Sequence, residues 1–373
     1  MISSQTPQEG FTVTKLGLVL NLLFLGFLAI GAPAFSMPFH KELKAVPLVQ
    51  DGPFWVSAWQ EVEIPAGLES LQFLVMGSAD FPVQITDLIG PDGTSSLHSG
   101  SPMNAYSDPV LRNVVSPERS EGLIAGFGTL IYPNNPALPS PAPGLWRFRS
   151  LTRRGPPARV QVDFLILGKA LSQNQKRQKL SLTLWIAKDS AWGKNSSVVK
   201  TMLSQTQENF SRAGIELHVR AQNFLQETFT PPLHPPQEIA ALAREKNDSS
   251  SLNVYLLPEM EFQSQALNGL ACLGGPVDVP GQPCFVALFA KENLNQLPAV
   301  DKAKVLTHEI GHYLGLFHTR DEGYPRIGTV YDAMDDTAEE ITGANVMDPG
   351  LFHRRVDFSK EQIQIMQLSP ALH

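Results

Sequence analysis

Hydrophobic and polar positions follow two different periods along the chain, and the change comes near residue 180. Between residues 39 and 167, short runs such as FWVSAWQEVEIP, VQITDLIGPDG and RVQVDFLIL alternate apolar with polar side chains or are rich in β-branched and aromatic residues. Glycines and prolines separate these runs, and no helical period of useful length lies between them. This punctuation predicts an all-β N-terminal module, a jelly-roll-like sandwich over residues 37–168.

From residue 180 onward, β-rich runs alternate with segments whose apolar residues recur every three or four positions. Gly214 is expected to end the first of these helices, because glycine tolerates the left-handed backbone of a C′ position. Strands alternating with helices indicate an α/β or α+β domain with a mixed, mostly parallel sheet. The predicted strands are residues 181–187, 215–219, 252–257 and 285–290, and the predicted helices are 195–213 and 237–246.

Two further helices are predicted closer to the C-terminus. One begins between residues 298 and 301, and its apolar residues are expected to hold it to the sheet. The other spans residues 358–368, with Ser359 as its N-cap. The C-terminal domain therefore covers residues 180–373.

Residues 169–179 are polar and basic, lack an apolar period and are interpreted as a linker between the two parts. Lys176 and Arg177 offer a processing point in it. The N-terminal module is accordingly interpreted as a companion domain or as a propiece that cleavage near this point removes.

An apolar run occupies residues 16–31, after Lys15 and before the small-x-small sequence Ala32-Pro33-Ala34. This pattern predicts a secretory signal over residues 1–34. The run approaches the ~17–20 residues that span a bilayer, so an uncleaved N-terminal anchor is the alternative. The protein is expected to be secreted or extracytoplasmic, and to contact a membrane only if the run is retained.

Composition and charge exclude one class of partner. The 373-residue chain is 43% hydrophobic and carries a net charge of −7, without a run rich in lysine and arginine. It is therefore globular, and it lacks the positive field that binds a nucleic-acid backbone. No nucleic-acid partner is expected.

The candidate chemistry lies in the segment HEIGHYLGLFHT at residues 308–319. His308 and His312 are four residues apart, so on a helix both imidazoles can reach the same ion. Gly315 tolerates a positive φ, which lets the helix end and the chain return with His318 as a third nitrogen ligand. Three neutral histidines and one open position are typical of a catalytic zinc site, because structural zinc sites are closed by four protein ligands.

Glu309 lies beside a ligand without being one, which is the expected position of a general base. Zinc held by three imidazoles keeps its positive charge and lowers the pKa of bound water toward ~7. Glu309 is expected to take the proton of that water and to pass it to the leaving amine. The pattern predicts one catalytic zinc ion and a protein or peptide substrate.

The segment resembles the signature of the metzincin clan of zinc endopeptidases, H-E-x-x-H-x-x-G-x-x-H. It is most similar to the pappalysin-like group, in which threonine commonly follows the third histidine, as Thr319 does here; Arg320 departs from the aromatic residue often found next. The resemblance covers residues 178–373 and implies a methionine turn, which NVMD at residues 345–348 matches. It implies that Met347 forms the apolar floor under the imidazoles, and that an antiparallel edge strand aligns an extended substrate.

Seven carboxylates crowd the segment between the third histidine and this turn. Such dense oxygen ligands can bind calcium, and a solvated acidic loop is the alternative. A different zinc clan takes a distant glutamate as its third ligand, in which case Gly315 and His318 would be incidental. The seven residues are Asp321, Glu322, Asp332, Asp335, Asp336, Glu339 and Glu340, the last two being the candidates for that glutamate.

Cys272 and Cys284 are the only cysteines. An even pair in an exported chain is expected to form one disulfide. Two free thiols, or one thiolate that keeps zinc latent, are the alternatives. The glycine- and proline-rich loop between them is a candidate wall of the substrate groove.

The sequence thus predicts an exported zinc-dependent endopeptidase with an N-terminal companion module. A surface-binding or adhesive protein, whose sandwich carries the function and whose zinc domain is inactive or only processes itself, is the alternative. A zinc hydrolase that acts on another kind of bond is a third interpretation.

Overall fold

A computed structural model gives the fold of most of the chain. Residues 35–373 form one compact unit. Residues 1–34, where the signal or anchor is predicted, lie outside the described part, and no described helix has the length and apolar character needed to cross a membrane. The described residues are 39–52, 54–77, 83–98, 127–152, 161–171, 177–227, 229, 235–262, 265–272, 284–290, 297–324, 328–332, 334–337, 344–349 and 357–373.

The N-terminal part is all β, as predicted. Its described strands form one curled antiparallel sheet of nine strands, in the order β6-β5-β8-β2-β1-β9-β4-β7 with β3 paired to β8. The strands are β1 (Phe39–Asp51), β2 (Phe54–Ser57), β3 (Gln60–Ile64), β4 (Leu68–Met76), β5 (Gln84–Ile89), β6 (Ser95–His98), β7 (Phe127–Tyr132), β8 (Gly144–Thr152) and β9 (Gln161–Ala170).

Strand β1 makes the curl possible because it belongs to both halves of the sheet. Its first part pairs with β9 and its last part pairs with β2. Alternate residues point to opposite faces of a strand, so every second residue of β4 fills the interior. Phe73 of β4 lies there, against Phe148 at a ring-centroid distance of 5.2 Å, and Phe148 meets Phe164 at 5.2 Å.

The C-terminal part is built on a five-stranded sheet of order β11-β10-β12-β16-β15. Its first four strands pair in parallel, whereas the short edge strand β15 is antiparallel to β16. The elements are β10 (Gln178–Ala187), α1 (Ala191–Lys194), α2 (Ser196–Arg212), β11 (Ile215–Leu225), α3 (Pro235–Glu245), β12 (Leu252–Pro258), β13 (Met260–Phe262), β14 (Gln265–Leu267), β15 (Gly269–Ala271) and β16 (Phe285–Ala290).

Four more elements lie in the described residues that follow: α4 (Ala299–Tyr313), β17 (Arg320–Tyr324), β18 (Gly328–Tyr331) and α5 (Lys360–Leu368). Helix α5 begins at a capping box, in which the Ser359 hydroxyl accepts from the Gln362 amide at 3.2 Å and the Gln362 side chain accepts from the Ser359 amide at 3.0 Å. The predicted N-cap is confirmed. Gly214 follows α2 with a φ of +75°, as expected for the residue that ends that helix.

Several boundaries differ from the prediction. The linker is shorter than expected, because β9 extends to Ala170 and β10 begins at Gln178. Strand β11 continues to Leu225 rather than ending at residue 219. Helix α1 and the short strands β13, β14, β17 and β18 were not predicted, because elements of three to five residues carry too few positions to show a period.

The two cysteines form the predicted disulfide. Cys272 follows β15, Cys284 precedes β16, and their Cα atoms are 5.7 Å apart. Both side chains are buried in the same hydrophobic cluster as the core of the C-terminal part. The disulfide therefore ties the edge strand to its neighbour, while the predicted groove loop between the cysteines, residues 273–283, lies outside the described residues.

Candidate active site and metal centre

Helix α4 carries the first two histidines and is fixed by packing on both sides. Val305, Leu306 and Ile310 are fully buried in the C-terminal core. Helix α2 adds a polar contact, in which the Asn209 side-chain amide donates to the Thr307 hydroxyl at 3.0 Å. The apolar stripe thus faces the sheet, and the histidines project from the remaining part of the helix surface.

The structure brings His308, His312 and His318 together as a triangle of ring nitrogens. The Nε2 atom of His308 lies 3.0 Å from that of His312 and 3.1 Å from that of His318, and the last two are 3.1 Å apart. Three nitrogens at this spacing can share one ion at ordinary zinc–nitrogen distances of about 2.0–2.1 Å. Among the described residues, these three histidines form the one group arranged to hold a metal ion.

Two backbone carbonyls orient the ligand rings. The Nδ1 atom of His308 lies 2.7 Å from the carbonyl oxygen of Val346, and that of His312 lies 2.7 Å from the carbonyl oxygen of Leu316. A carbonyl only accepts, so each Nδ1 carries the proton and each Nε2 presents a lone pair. This is the tautomer that binds zinc, and the donor set fits that metal.

Gly315 allows the chain to turn back toward the third histidine. Its φ is +103°, a conformation that favours glycine. The amide of Gly315 donates to the His312 carbonyl at 2.9 Å, and the amide of Leu316 donates to the Gly311 carbonyl at 3.0 Å. These bonds satisfy carbonyls left open at the end of α4 and place His318 across from the helix.

Met347 lies directly under the helical turn that joins the first two ligands. A Cβ atom at Gly311 would meet the Met347 sulfur at 2.7 Å, so the absence of a side chain there permits the approach. Met347 is fully buried. Gly311 is therefore a site residue that the sequence analysis did not predict, because the signature leaves its position, the second x of H-E-x-x-H, open to any residue.

The turn at residues 345–348 is also tied to the residue after the third ligand. The Thr319 amide donates to the Met347 carbonyl at 3.2 Å, and the Thr319 hydroxyl donates to Asp348 at 2.6 Å. Thr319 and Asp348 are both buried. Two hydrogen bonds thus join the methionine turn to the segment that carries His318.

Glu309 is buried at 8% exposure beside the ligand triangle. Burial raises the pKa of its carboxyl to about 8 in the absence of a cation. Gly269 of the edge strand β15 leaves room for this carboxylate, because a Cβ atom there would lie 2.3 Å from a Glu309 oxygen. Gly269 too was missed, since nothing in the sequence indicates that β15 crosses Glu309.

The described members of the predicted acidic cluster form no group arranged to hold a metal ion. The Asp335 backbone amide donates to the Glu361 carboxylate at 2.6 Å, and the Asp336 carboxylate accepts from the Glu361 backbone amide at 3.1 Å. Both residues therefore bind the first turn of α5. Asp332 accepts from the Thr337 hydroxyl at 2.5 Å. The described carboxylates give calcium no support, and Glu339 and Glu340 lie outside the described residues.

Comparison with known proteins bears on this site directly. Residues 247–366 match the peptidase family described as Pregnancy-associated plasma protein-A. These residues are thus similar to a pappalysin-type metallopeptidase domain. The matched segment includes all three histidines, Glu309 and the methionine turn, in agreement with the resemblance seen in the sequence. No curated protein matches the chain.

Two solved structures with similarity to the chain are also metallopeptidases. Metalloproteinase-II from Bacteroides fragilis is 11% identical over 54% of this chain and 55% of its own, with a TM-score of 0.34. A zinc-dependent peptidase from Methanocorpusculum labreanum is 12% identical over 50% of this chain and 99% of its own, with a TM-score of 0.30. The chain thus spans about half the length of the first of these, and scores this low define no detail of its fold or site.

Proposed function

We propose that the chain is a secreted zinc-dependent endopeptidase. The observation that carries the proposal is the triangle of Nε2 atoms from His308, His312 and His318, 3.0–3.1 Å apart, with the buried carboxyl of Glu309 beside it. The family match over residues 247–366 supports a protein or peptide as the substrate. The adhesive alternative receives no support from either observation.

The residues of the chain take separate roles in peptide-bond hydrolysis. His308, His312 and His318 would hold zinc, which when bound activates water and polarises the scissile carbonyl. Glu309 accepts the proton of the attacking water and returns it to the leaving amine. The carbonyl groups of Val346 and Leu316 keep two of the imidazoles in the required tautomer.

The finer architecture and the location of the protein belong to the same proposal. We assign the curled nine-stranded sheet to a jelly-roll-like sandwich, and the five-stranded sheet to a metzincin-like catalytic domain at residues 180–373. Secretion is supported by the disulfide between Cys272 and Cys284, because disulfides persist in oxidising compartments. Calcium is not part of the proposal.

Metal analysis of the purified full-length chain tests the proposal, together with casein cleavage before and after treatment with a zinc chelator. We expect one zinc ion per chain, loss of cleavage on chelation and recovery on adding zinc. His318→Ala should lose both metal and cleavage, because two imidazoles hold zinc far more weakly than three. A chain that binds no zinc, or that cleaves casein equally well after complete removal of zinc, would contradict the proposal.

A further inference from the structure

Three strands of the N-terminal part, β4, β7 and β9, are buried on both faces. One face fills the interior of the curled sheet. The opposite face carries a second set of residues, each between 0 and 8% exposed, which we call the docking face: Ser70, Gln72, Leu74, Thr129, Ile131, Leu165, Leu167 and Lys169. We propose that the docking face joins the N-terminal module permanently to the peptidase domain, and that Ile131 on it positions the turn leading to the third histidine.

Three of the four apolar residues of the docking face belong to the core of the peptidase domain. Leu74, Leu165 and Leu167 form one continuous cluster of buried side chains with residues of the C-terminal part. The interior of the N-terminal module is a separate cluster. Removing the module would expose these leucines and the surface they cover to water, which opposes separation.

The polar residues of the docking face bind the end of helix α5. The last carbonyl groups of a helix have no partner within it and attract cations. The Ser70 hydroxyl donates to the carbonyl of Leu368 at 2.5 Å, and the Lys169 ammonium donates to the carbonyl of Gln367. Lys169 also donates to Gln178 at 3.1 Å and lies 3.4 Å from Glu69. The module therefore completes the hydrogen bonding of a helix in the other part.

Ile131 connects the docking face to the metal centre. A Cβ atom at Gly315 would lie 2.7 Å from Cδ1 of Ile131, so this methyl group rests directly on the turn that ends α4. Leu316, the next residue, supplies the carbonyl that orients His312. His318 follows two residues later. Ile131 thus packs against the turn on which two of the three ligands depend, and it acts as a positioning residue.

The connection between the two parts is anchored on each side. The Leu171 amide donates to the Gly67 carbonyl at 2.8 Å within the N-terminal module. On the other side, Lys179 and His373 exchange backbone hydrogen bonds of 2.8 and 3.2 Å. Cutting the chain between these anchors would break none of the contacts of the docking face. This arrangement opposes the interpretation of the N-terminal module as a propiece that leaves after cleavage near Lys176 and Arg177.

Cleavage of the full-length chain tests the permanent association. Residues 172–176 are replaced by the recognition sequence of a site-specific protease, and the cut protein is passed over a gel-filtration column with and without denaturant. We expect the two fragments to elute together under native conditions and apart in denaturant. Fragments that separate under native conditions would overturn the proposal, whatever the zinc content of the protein.

A graded series at Ile131 tests its positioning role. Ile131→Val removes only the methyl group that touches Gly315, and Ile131→Ala removes more. Zinc affinity is measured by chelator competition at a temperature where thermal melts show every variant folded. We expect Ile131→Ala to weaken zinc binding by about ten-fold, the lower range for residues that support ligands, and Ile131→Val to weaken it less.

Leu145→Ala is the matched control, since Leu145 is an exposed leucine of the same module. It should bind zinc as the wild type does. Zinc affinity unchanged in both Ile131→Val and Ile131→Ala would refute the positioning role. The result is distinguishable from failure of the proposed endopeptidase function on which it rests, because that failure would show as a wild-type chain without zinc.

Discussion

Gly269 leaves the space that the carboxylate of Glu309 occupies. The edge strand β15 passes so close to the helix that a methyl group at Gly269 would overlap with the carboxylate. A side chain at position 269 could be accommodated only if Glu309 or the strand moved. The position of the proposed general base thus depends on a residue without a side chain.

Gly269→Ala is therefore expected to displace Glu309 without disturbing the histidines. We expect zinc to remain at one per chain while kcat falls by about 10²-fold, the lower range for loss of a well-placed general base. Peptide-cleavage kinetics and metal analysis measure the two effects. Gly52→Ala at a remote turn, where the φ of +59° confines the strain of an added methyl group to that turn, should leave kcat unaltered. An unaltered kcat in Gly269→Ala would contradict this expectation and show that strand β15 moves while Glu309 keeps its position.

Glu309→Gln keeps the shape of the side chain and removes its ability to accept a proton. Zinc content should stay at one per chain, because Glu309 is not among the three ligands. The value of kcat/KM should fall by about 10³-fold, within the usual contribution of a general base. Metal analysis and peptide cleavage are the measurements. Turnover close to that of the wild type would remove Glu309 from the proposed mechanism.

Residues of the site differ in how far the sequence could predict them. The spacing of His308, His312 and His318 shows in the sequence because helix geometry converts spacing into proximity. Gly269 and Ile131 act across long separations, and their neighbours are set only by how strands and helix pack. The sequence therefore predicted the ligands, whereas the residues that shape the space around them needed the structure.

Among the elements, the turn at residues 345–348 is the most closely linked to the metal centre. Val346 orients one ligand through its carbonyl, and Met347 fills the space under Gly311. Asn345 closes the turn by accepting from the Met347 amide at 2.8 Å, and its own amide donates to Gln362 of α5 at 3.0 Å. The turn thus links the ligands to the C-terminal helix.

Thr319→Val tests the bond between this turn and the segment that carries His318. The change removes the hydroxyl that donates to the buried Asp348, which should lower the free energy of unfolding by about 1–3 kcal/mol. Zinc affinity should fall as well, because the turn supplies a carbonyl to His308. Denaturant unfolding and chelator competition measure both. Thr201→Val, on the exposed surface of α2, is the control and should change neither.

Element prediction succeeded for the two C-terminal helices and failed for the short strands, and it also missed β1, a strand of 13 residues without a clear alternation. Helix α4 and helix α5 appear within a residue or two of the expected bounds, because their apolar period and N-terminal signals agree. Strand β15 has three residues, and its pairing with β16 depends on a tertiary contact. The methionine turn was predicted only through its resemblance to a family, since four residues without a period carry no structural signal.

At the scale of the whole molecule, the buried Lys169 makes stability depend on pH. Burial lowers the pKa of this ammonium group to about 8, against the opposing effect of Glu69. The unfolded chain, with the ordinary lysine pKa, binds the proton more tightly. Folding therefore releases a proton between pH 8 and the ordinary pKa of lysine, and the free energy of unfolding should rise with pH across that window and be insensitive to Lys169 below it.

Chemical denaturation between pH 7 and 9.5 measures this dependence. One pH unit corresponds to about 1.4 kcal/mol for a single proton, so from pH 8.5 to 9.5 the gain should approach 1 kcal/mol. Lys169→Met should flatten the slope, because it removes the group that titrates. A slope equal to that of the wild type would assign the pH dependence to other groups. Near pH 9.5 the tyrosines of the unfolded chain begin to ionise, whereas burial raises the pKa of Tyr255 and Tyr313 in the folded protein, so these two groups slightly oppose the rise at the upper end of the range.

The sequence predicts two parts and a linker, but it does not predict the interface between the two parts. Strands β4 and β9 contain the continuous apolar runs FLVM at residues 73–76 and FLIL at residues 164–167. A strand with one face in water alternates, whereas a strand buried on both faces does not. The sequence thus indicated burial on both faces, but a continuous apolar run does not identify the partner that covers the second face. Lys169, placed in the linker by its charge, lies buried in that interface.

Strands buried on both faces have few positions that are free to change. At each buried residue of β4 and β9, a replacement must suit either the interior of the curled sheet or the peptidase core, and the backbone between them cannot shift for one without disturbing the other. Random mutagenesis with selection for zinc-dependent cleavage should accordingly find two regions of low tolerance. One surrounds the histidines, and the other lies in a module with no candidate catalytic residue, where intolerance reflects packing rather than chemistry.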